Sequence, residues 1–285
     1  MRRRQFLAGG AACCSVVLAG CADPDVVLDL SEATPRDLAD KASRDLDPGT
    51  EEHVVVAGAT GNGSITRHAR WKRFPEASIV RVDGAFYDVS ERRVGTGEAR
   101  RYRLSVDFDP ANTTPERGAI AVEDLPPIDR QRLEPLITPV PRPPDDGSDV
   151  TQEWGTAELL ANRSVFAPEQ RYDVIVDGDR RYRVGVSAET ESMPEYRYEV
   201  TQVAPDVEAF AQHLRDRYLF ELAGLSEDER SVVEEAIDGA YFDDDDAFGS
   251  VVETIRSHEG LNEADYYGTW LVAYEADEYL AYVEW

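Results

Sequence analysis

The chain has 285 residues, and its 57 acidic against 30 basic side chains give a formal charge of −27. That excess argues against nucleic acid as a partner, because a polyanion needs a basic patch and none stands out. Its three cysteines, Cys13, Cys14 and Cys21, all fall within residues 1–21. The chain beyond Cys21 has neither disulfides nor cysteine ligands and must be stabilised by its core.

In chain order, the first element is the stretch Arg2 to Cys21. It opens with Arg3-Arg4-Gln5-Phe6-Leu7, continues through an apolar span to Leu18, and closes on Leu18-Ala19-Gly20-Cys21. A charged start, a short apolar region and small residues before a cleavage point are the anatomy of an export signal. As a membrane span it is too short, since crossing takes about 20 apolar residues, and Gly9 and Gly10 weaken it as a packed helix. The segment resembles a twin-arginine export signal joined to a lipobox. The resemblance implies export through the twin-arginine route under direction of Arg3 and Arg4, removal of residues 1–20, and a lipid on Cys21. Two acyl chains there would anchor the protein stably, where one would not. The expected location is the extracytoplasmic face of the cell membrane.

Loss of Arg2, Arg3 and Arg4 takes the formal charge from −27 to −30, and Lys41 and Lys72 are the only lysines. Such a charge strains a compact domain by self-repulsion, which molar salt relieves by cutting the Debye length to roughly 3 Å. The acid-rich, lysine-poor composition resembles secreted proteins of halophilic archaea. Triplets of the form Asn-x-Ser/Thr at Asn62, Asn112 and Asn162 are candidate glycosylation acceptors.

After a tether at residues 21–25, Val26 to Leu30 reads as a strand and Pro35 to Leu46 as a helix beginning after Thr34. The rest reads as an internal repeat. In its C-terminal copy Ser226 and Glu229 form a capping box, the helix stops at Gly239, and a second helix spans Ala247 to His258 with Asp246 as its cap. Trp270 to Tyr274 and Tyr279 to Trp285 form a hairpin around a turn at Glu275 to Glu278.

The middle copy begins its helix near Leu125, where Pro135 predicts an early end. An exposed proline-rich loop comes next, at Pro139 to Gly147. Its hairpin is Tyr172 to Val176 and Tyr182 to Val186, with Asp173, Arg181 and Arg183 facing solvent. A first copy runs from a helix through Val54, Val55 and Ala59 to a hairpin at Ile79 to Val82 and Phe86 to Val89. Arg101 to Val106 and Tyr196 to Val200 read as separate third strands. The expected fold class is α+β: repeated helix, β-hairpin and strand units, with antiparallel sheets packed on helices. The expected units are 26–110, 111–205 and 206–285.

One stretch competes with this reading. His53 to Gly63 resembles the first strand and glycine loop of NAD(P)-binding short-chain and NmrA-like proteins. That resemblance implies an exported NAD(P)-binding enzyme, with Gly58 and Gly61 letting backbone donors reach a pyrophosphate and Asp83 binding the ribose. The spacing of the last glycine departs from the family. Ser64 to Phe74 also carries Arg67, His68, Arg70, Lys72 and Arg73 instead of an apolar stripe. The repeat reading is therefore preferred, with no cofactor expected.

Asp243 to Asp246 and Asp145 to Asp149 are acidic runs without the spacing of a calcium loop, and read as solvated. His53, His68, His213 and His258 show no zinc-ligand spacing and read as surface or helix-end residues. No nucleophile motif or catalytic set is present in the sequence, so a peptidase-type hydrolase has no motif to rest on. Arg100, Arg101 and Arg103 are expected to pair with local carboxylates. The sequence thus points to a lipid-anchored surface protein acting as a binding or scaffold module, leaning away from enzymatic activity.

Overall fold

The computed structural model describes residues 26–74, 78–107, 114–137 and 150–285. The export signal with Arg3 and Arg4, Cys21 and its tether, Asn112, the proline-rich loop and the acidic run at 145–149 lie outside the described residues.

The elements begin with β1 (Val27–Glu32), α1 (Pro35–Ala42), β2 (Arg44–Asp45), α2 (Glu51–Ala59), β3 (Ser64–His68), β4 (Ser78–Val82) and β5 (Ala85–Asp107). Next come β6 (Ala119–Ala121), α3 (Pro127–Ile137), β7 (Val150–Thr156), α4 (Ala157–Leu160), β8 (Val174–Asp177), β9 (Arg180–Ala204) and α5 (Val207–Tyr218). The C-terminal run is β10 (Phe220–Glu221), α6 (Glu227–Asp238), α7 (Asp246–Arg256), β11 (Asn262–Glu263), β12 (Tyr267–Tyr274) and β13 (Asp277–Glu284). The class is α+β, with helices packed against antiparallel and mixed sheets.

Contacts divide the chain into two compact units, one of residues 26–32 with 218–285 and one of residues 33–217. This differs from the three segments read in the sequence, for a specific reason. β5 and β9 are 23 and 25 residues long and pair antiparallel over nearly their whole length. One sheet therefore holds the hairpins of both the first and the middle segment, in the order β2-β4-β5-β9-β8-β6. Arg101 to Val106 and Tyr196 to Val200 are the far ends of these strands, not separate third strands. Register shifts near Phe86 and Arg93 let the pair bend without breaking.

In the smaller unit β1 closes the sheet against β13, giving the order β1-β13-β12-β10. The capping box forms as expected: Ser226 Oγ accepts from the Glu229 amide, and Glu229 Oε2 accepts from the Ser226 amide at 2.7 Å. Asp245, one residue before the expected cap, accepts from the Phe248 amide and from the Tyr241 hydroxyl. The final hairpin turns on Glu275-Ala276 alone, because Tyr274 already pairs with Asp277. Trp270, Val272, Ala281 and Val283 meet Val232, Val233, Phe248, Val251 and Ile255 in one core.

The described residues of the larger unit include two hydrophobic cores. Tyr102, Leu104, Val106, Leu133, Trp154, Phe166 and Val184 build one, at the end of the sheet where β5 meets β7. Val80, Val82, Val89, Tyr196, Tyr198 and Val200 build the other, where β4 and β3 flank the long pair. α2 serves both: Val54 joins the first core, while Val55, Val56 and Ala59 join the second. A helix apolar all round its surface is a buried helix, which is how a valine run of strand-like composition comes to be helical.

Two local expectations are overturned. α3 continues past Pro135 to Ile137, because Ile137 is buried in the first core and packing outweighs the lost backbone donor. Asp173 is buried and does not face solvent. It accepts from the amides of Glu116, Arg117 and Gly118 at 2.9 to 3.1 Å. Burial works to raise its pKa, but those donors and Arg183 outweigh it and hold the carboxyl below its ordinary range.

Candidate functional site

Between the two cores of the larger unit lies a cleft of about 360 Å³. α2 supplies Glu51 and Val55, the end of β3 and the segment after it supply Arg67 to Trp71 and Arg73, α3 supplies Arg132, and β7 supplies Glu153. Four guanidiniums, of Arg67, Arg70, Arg73 and Arg132, face two carboxylates, of Glu51 and Glu153. Among the lining residues alone that is a formal +2, inside a chain of −27, with Glu158, Glu191 and Glu195 standing behind them against His68 and Arg70.

Each charge is placed by the local fold. Thr50 caps α2 by accepting from the His53 amide, which sets Glu51 in the first helical turn, where a carboxylate is favoured. The Glu51 carboxylate bridges Arg73 and Arg132, the latter at 2.7 Å. Arg73 is fixed from behind, since its own amide and that of Phe74 both donate to Glu91 Oε2 at 2.7 Å. Arg132 donates to the Trp154 carbonyl and lies over the Trp154 ring, 5.8 Å from its centroid. Trp154 is tied in turn to Asp129, which accepts its indole N–H at 3.1 Å and the Val165 amide at 2.7 Å.

Burial pushes the Arg132 guanidinium down to about 10 against the pull of Asp129, so it stays cationic at neutral pH. Burial also lowers Arg73. Arg70 is held more loosely: its side chain is 41 % exposed, and it reaches Glu191 at 3.4 Å and Glu153 at 3.9 Å. Beneath it lies Arg101, 1 % exposed, paired with Glu153, Glu191 and Glu189. Arg101 and Arg103 pair with local carboxylates as expected, whereas Arg100 lies over the Tyr102 ring. Trp71, 66 % exposed, stands at the rim, and Val55, Leu159 and Met193 form an apolar wall.

His213 and His258 are exposed and His53 sits in the first turn of α2, as the surface or helix-end reading expects, whereas His68 departs from it. His68 lines the cleft with its ring between two carboxylates, Nδ1 at 2.9 Å from Glu158 and Nε2 at 3.4 Å from Glu195. His53 lies 3.7 Å from Asp83, and His258 stacks on Phe220 at 3.8 Å.

The glycine loop does not form the strand, turn and helix that a pyrophosphate cradle needs. His53 to Ala59 is helical, and the element after Gly61 is β3. A Cβ on Gly58 would sit 3.1 Å from Ile65 of β3, a packing contact. Asp83 opens the two-residue turn of the β4–β5 hairpin with φ of 50°. Gly58, Gly61 and Asp83 therefore do not assemble into a dinucleotide site. Asn62 and Asn162 are exposed. Among the described residues, no group of three or more His, Cys, Asp or Glu is placed to hold a metal ion, and no helix is long and apolar enough to cross a membrane.

The cationic run at Arg67 to Arg73 is visible in the sequence, where it counts only against the dinucleotide reading. Its density in so acidic a chain, with Trp71 in its middle, is the signal that points to the cleft. Glu51 and Arg132, 81 positions apart, carry none. Comparison with known protein families, curated proteins and solved structures finds no match.

Proposed function

We propose that this is a lipid-anchored protein of the extracytoplasmic membrane face that binds a small anion in the arginine-lined cleft and does not turn it over. The observation that carries the binding reading is the excess of guanidiniums in one cleft of a strongly acidic chain. A guanidinium keeps its proton at neutral pH, so these side chains supply charge and directed donors, not proton transfer. The export and anchoring part rests on the sequence from Arg3 to Cys21.

Acidic surroundings repel an anion at low salt, but at molar salt only contact pairs survive screening. The proposal is tested by melting the mature protein in molar KCl with acetate, inorganic phosphate or hexanoate. A ligand at about 100 times its dissociation constant adds about 2.7 kcal/mol of stability. At least one of the three is expected to raise the melting temperature, and no shift with any of them ends the binding reading. For the anchor, Cys21→Ser is expected to move the protein from the membrane fraction to the medium. Retention on the membrane would refute lipidation at that residue.

A further inference from the structure

The four guanidiniums are not equally available. Arg73 and Arg132 converge on the single carboxylate of Glu51, and Arg132 also donates to the Trp154 carbonyl. Their donors already face acceptors that the fold fixes in place. Arg70 differs. Its contacts to Glu191 and Glu153 are 3.4 and 3.9 Å long, while Arg101 approaches the same Glu191 at 2.6 Å from the buried side. Those glutamates are also matched by Arg101, which leaves half-exposed Arg70 able to turn toward a ligand, while Arg67 donates to the carbonyl of its neighbour Thr66 at 2.9 Å.

We propose that the cleft takes a small monocarboxylate with an apolar body, and that Arg70 receives its carboxylate. The inference rests on the anion-binding reading and names the ligand class. Three observations carry it. A planar guanidinium fork matches a planar carboxylate in two parallel hydrogen bonds. Glu153 and Glu191 lie beside Arg70, and their repulsion of a second negative charge disfavours a dianion such as phosphate more than a monoanion. Beside the polar Gln152 and Thr156, the lining includes an apolar patch of Val55, Leu159 and Met193, with Trp71 at the rim. A volume of about 360 Å³ lies near the small end of the roughly 300–1,000 Å³ range of ligand pockets. Arg70 would orient the ligand while the wall and Trp71 cover its body.

Isothermal titration of the mature protein in molar KCl separates the parts. Hexanoate and benzoate carry both charge and body, acetate and inorganic phosphate carry charge alone, and benzyl alcohol carries the body alone. Hexanoate or benzoate is expected to bind about tenfold or more tighter than the other three. Arg70→Gln is expected to weaken that binding about tenfold with unchanged melting, since the side chain is half-exposed, and Trp71→Ala to weaken it without affecting acetate. Acetate or phosphate binding as tightly as hexanoate would overturn the ligand class while leaving an anion cleft. Unchanged hexanoate affinity in a folded Arg70→Gln variant would overturn the role of Arg70. Binding of no anion at all would remove the underlying reading as well.

Discussion

Asp129→Ala is expected to destabilise the larger unit by about 3 kcal/mol and, among survivors, to weaken anion binding in the cleft. Asp129 is fully buried, and its two oxygens accept from the Trp154 indole and the Val165 amide. Deleting it strands the Val165 amide and leaves the Trp154 indole with only the longer bond to Ser164 Oγ at 3.4 Å, at about 1–3 kcal/mol per weakened or lost donor, partly offset because a buried carboxylate no longer has to leave water. Trp154 would lose its anchor, and with it go the ring and carbonyl that position Arg132. Asp129 acts on the ligand only through those two residues, so it is a positioning residue.

A pH series isolates it further. Burial raises the Asp129 pKa above 3.8, against the opposing donors of Val165, Ser164 and Trp154. A raised folded pKa means that the folded chain holds the proton more tightly than the unfolded chain. The contribution is complete below pH about 3.8 and is lost as pH rises through the folded value. Asp129→Asn does not titrate, so the stability of the native protein minus that of this variant, from chemical denaturation, should fall as pH climbs through that window. A flat or rising difference would show that Asp129 is not a desolvated carboxyl. Unchanged stability in Asp129→Ala would show that the buried network does not hold β7 to α3.

The parts of the fold visible in the sequence are those written in local chemistry. The capping box at Ser226 and Glu229, the turn at Asp83-Gly84 and the alternation of the last hairpin each depend on residues a few positions apart. The helix through Val54 to Ala59 is legible only by comparison with the other copies, because three consecutive valines are also what a buried strand contains. Its two-sided burial depends on both cores existing, which no window of sequence contains. The continuous pairing of β5 with β9 is hidden for a similar reason. The middles of both strands are exposed and polar, so Arg92 to Glu98 and Ser187 to Glu191 carry no apolar alternation to mark a strand, though their backbones stay largely paired. The same distance effect hides the cleft, whose Glu51 bridges Arg73 and Arg132 from different elements.

The second large effect is an asymmetry around Arg101. Glu153→Gln combined with Glu191→Gln is expected to cost about 3–5 kcal/mol, roughly 6–20 °C in the melting of the larger unit, whereas Arg101→Met should cost much less. The reason lies in which partner has left water. Arg101 is 1 % exposed, while Glu153 and Glu191 are 44 % and 30 % exposed. Neutralising both glutamates leaves a buried guanidinium with Glu189 as its remaining carboxylate, 3.6 Å away, and a buried charge without compensation is the costly state. Removing Arg101 instead releases the desolvation penalty along with the attraction, and the carboxylates rehydrate where they stand. The double variant should also bind hexanoate more tightly once measured below its melting temperature, because Arg70 loses the two negative charges that compete with a ligand. Lower stability together with higher affinity is the signature of carboxylates that hold the fold and restrain the site at once. Equal destabilisation by Arg101→Met would mean that packing of the arginine stem, not its charge, is what the interior requires.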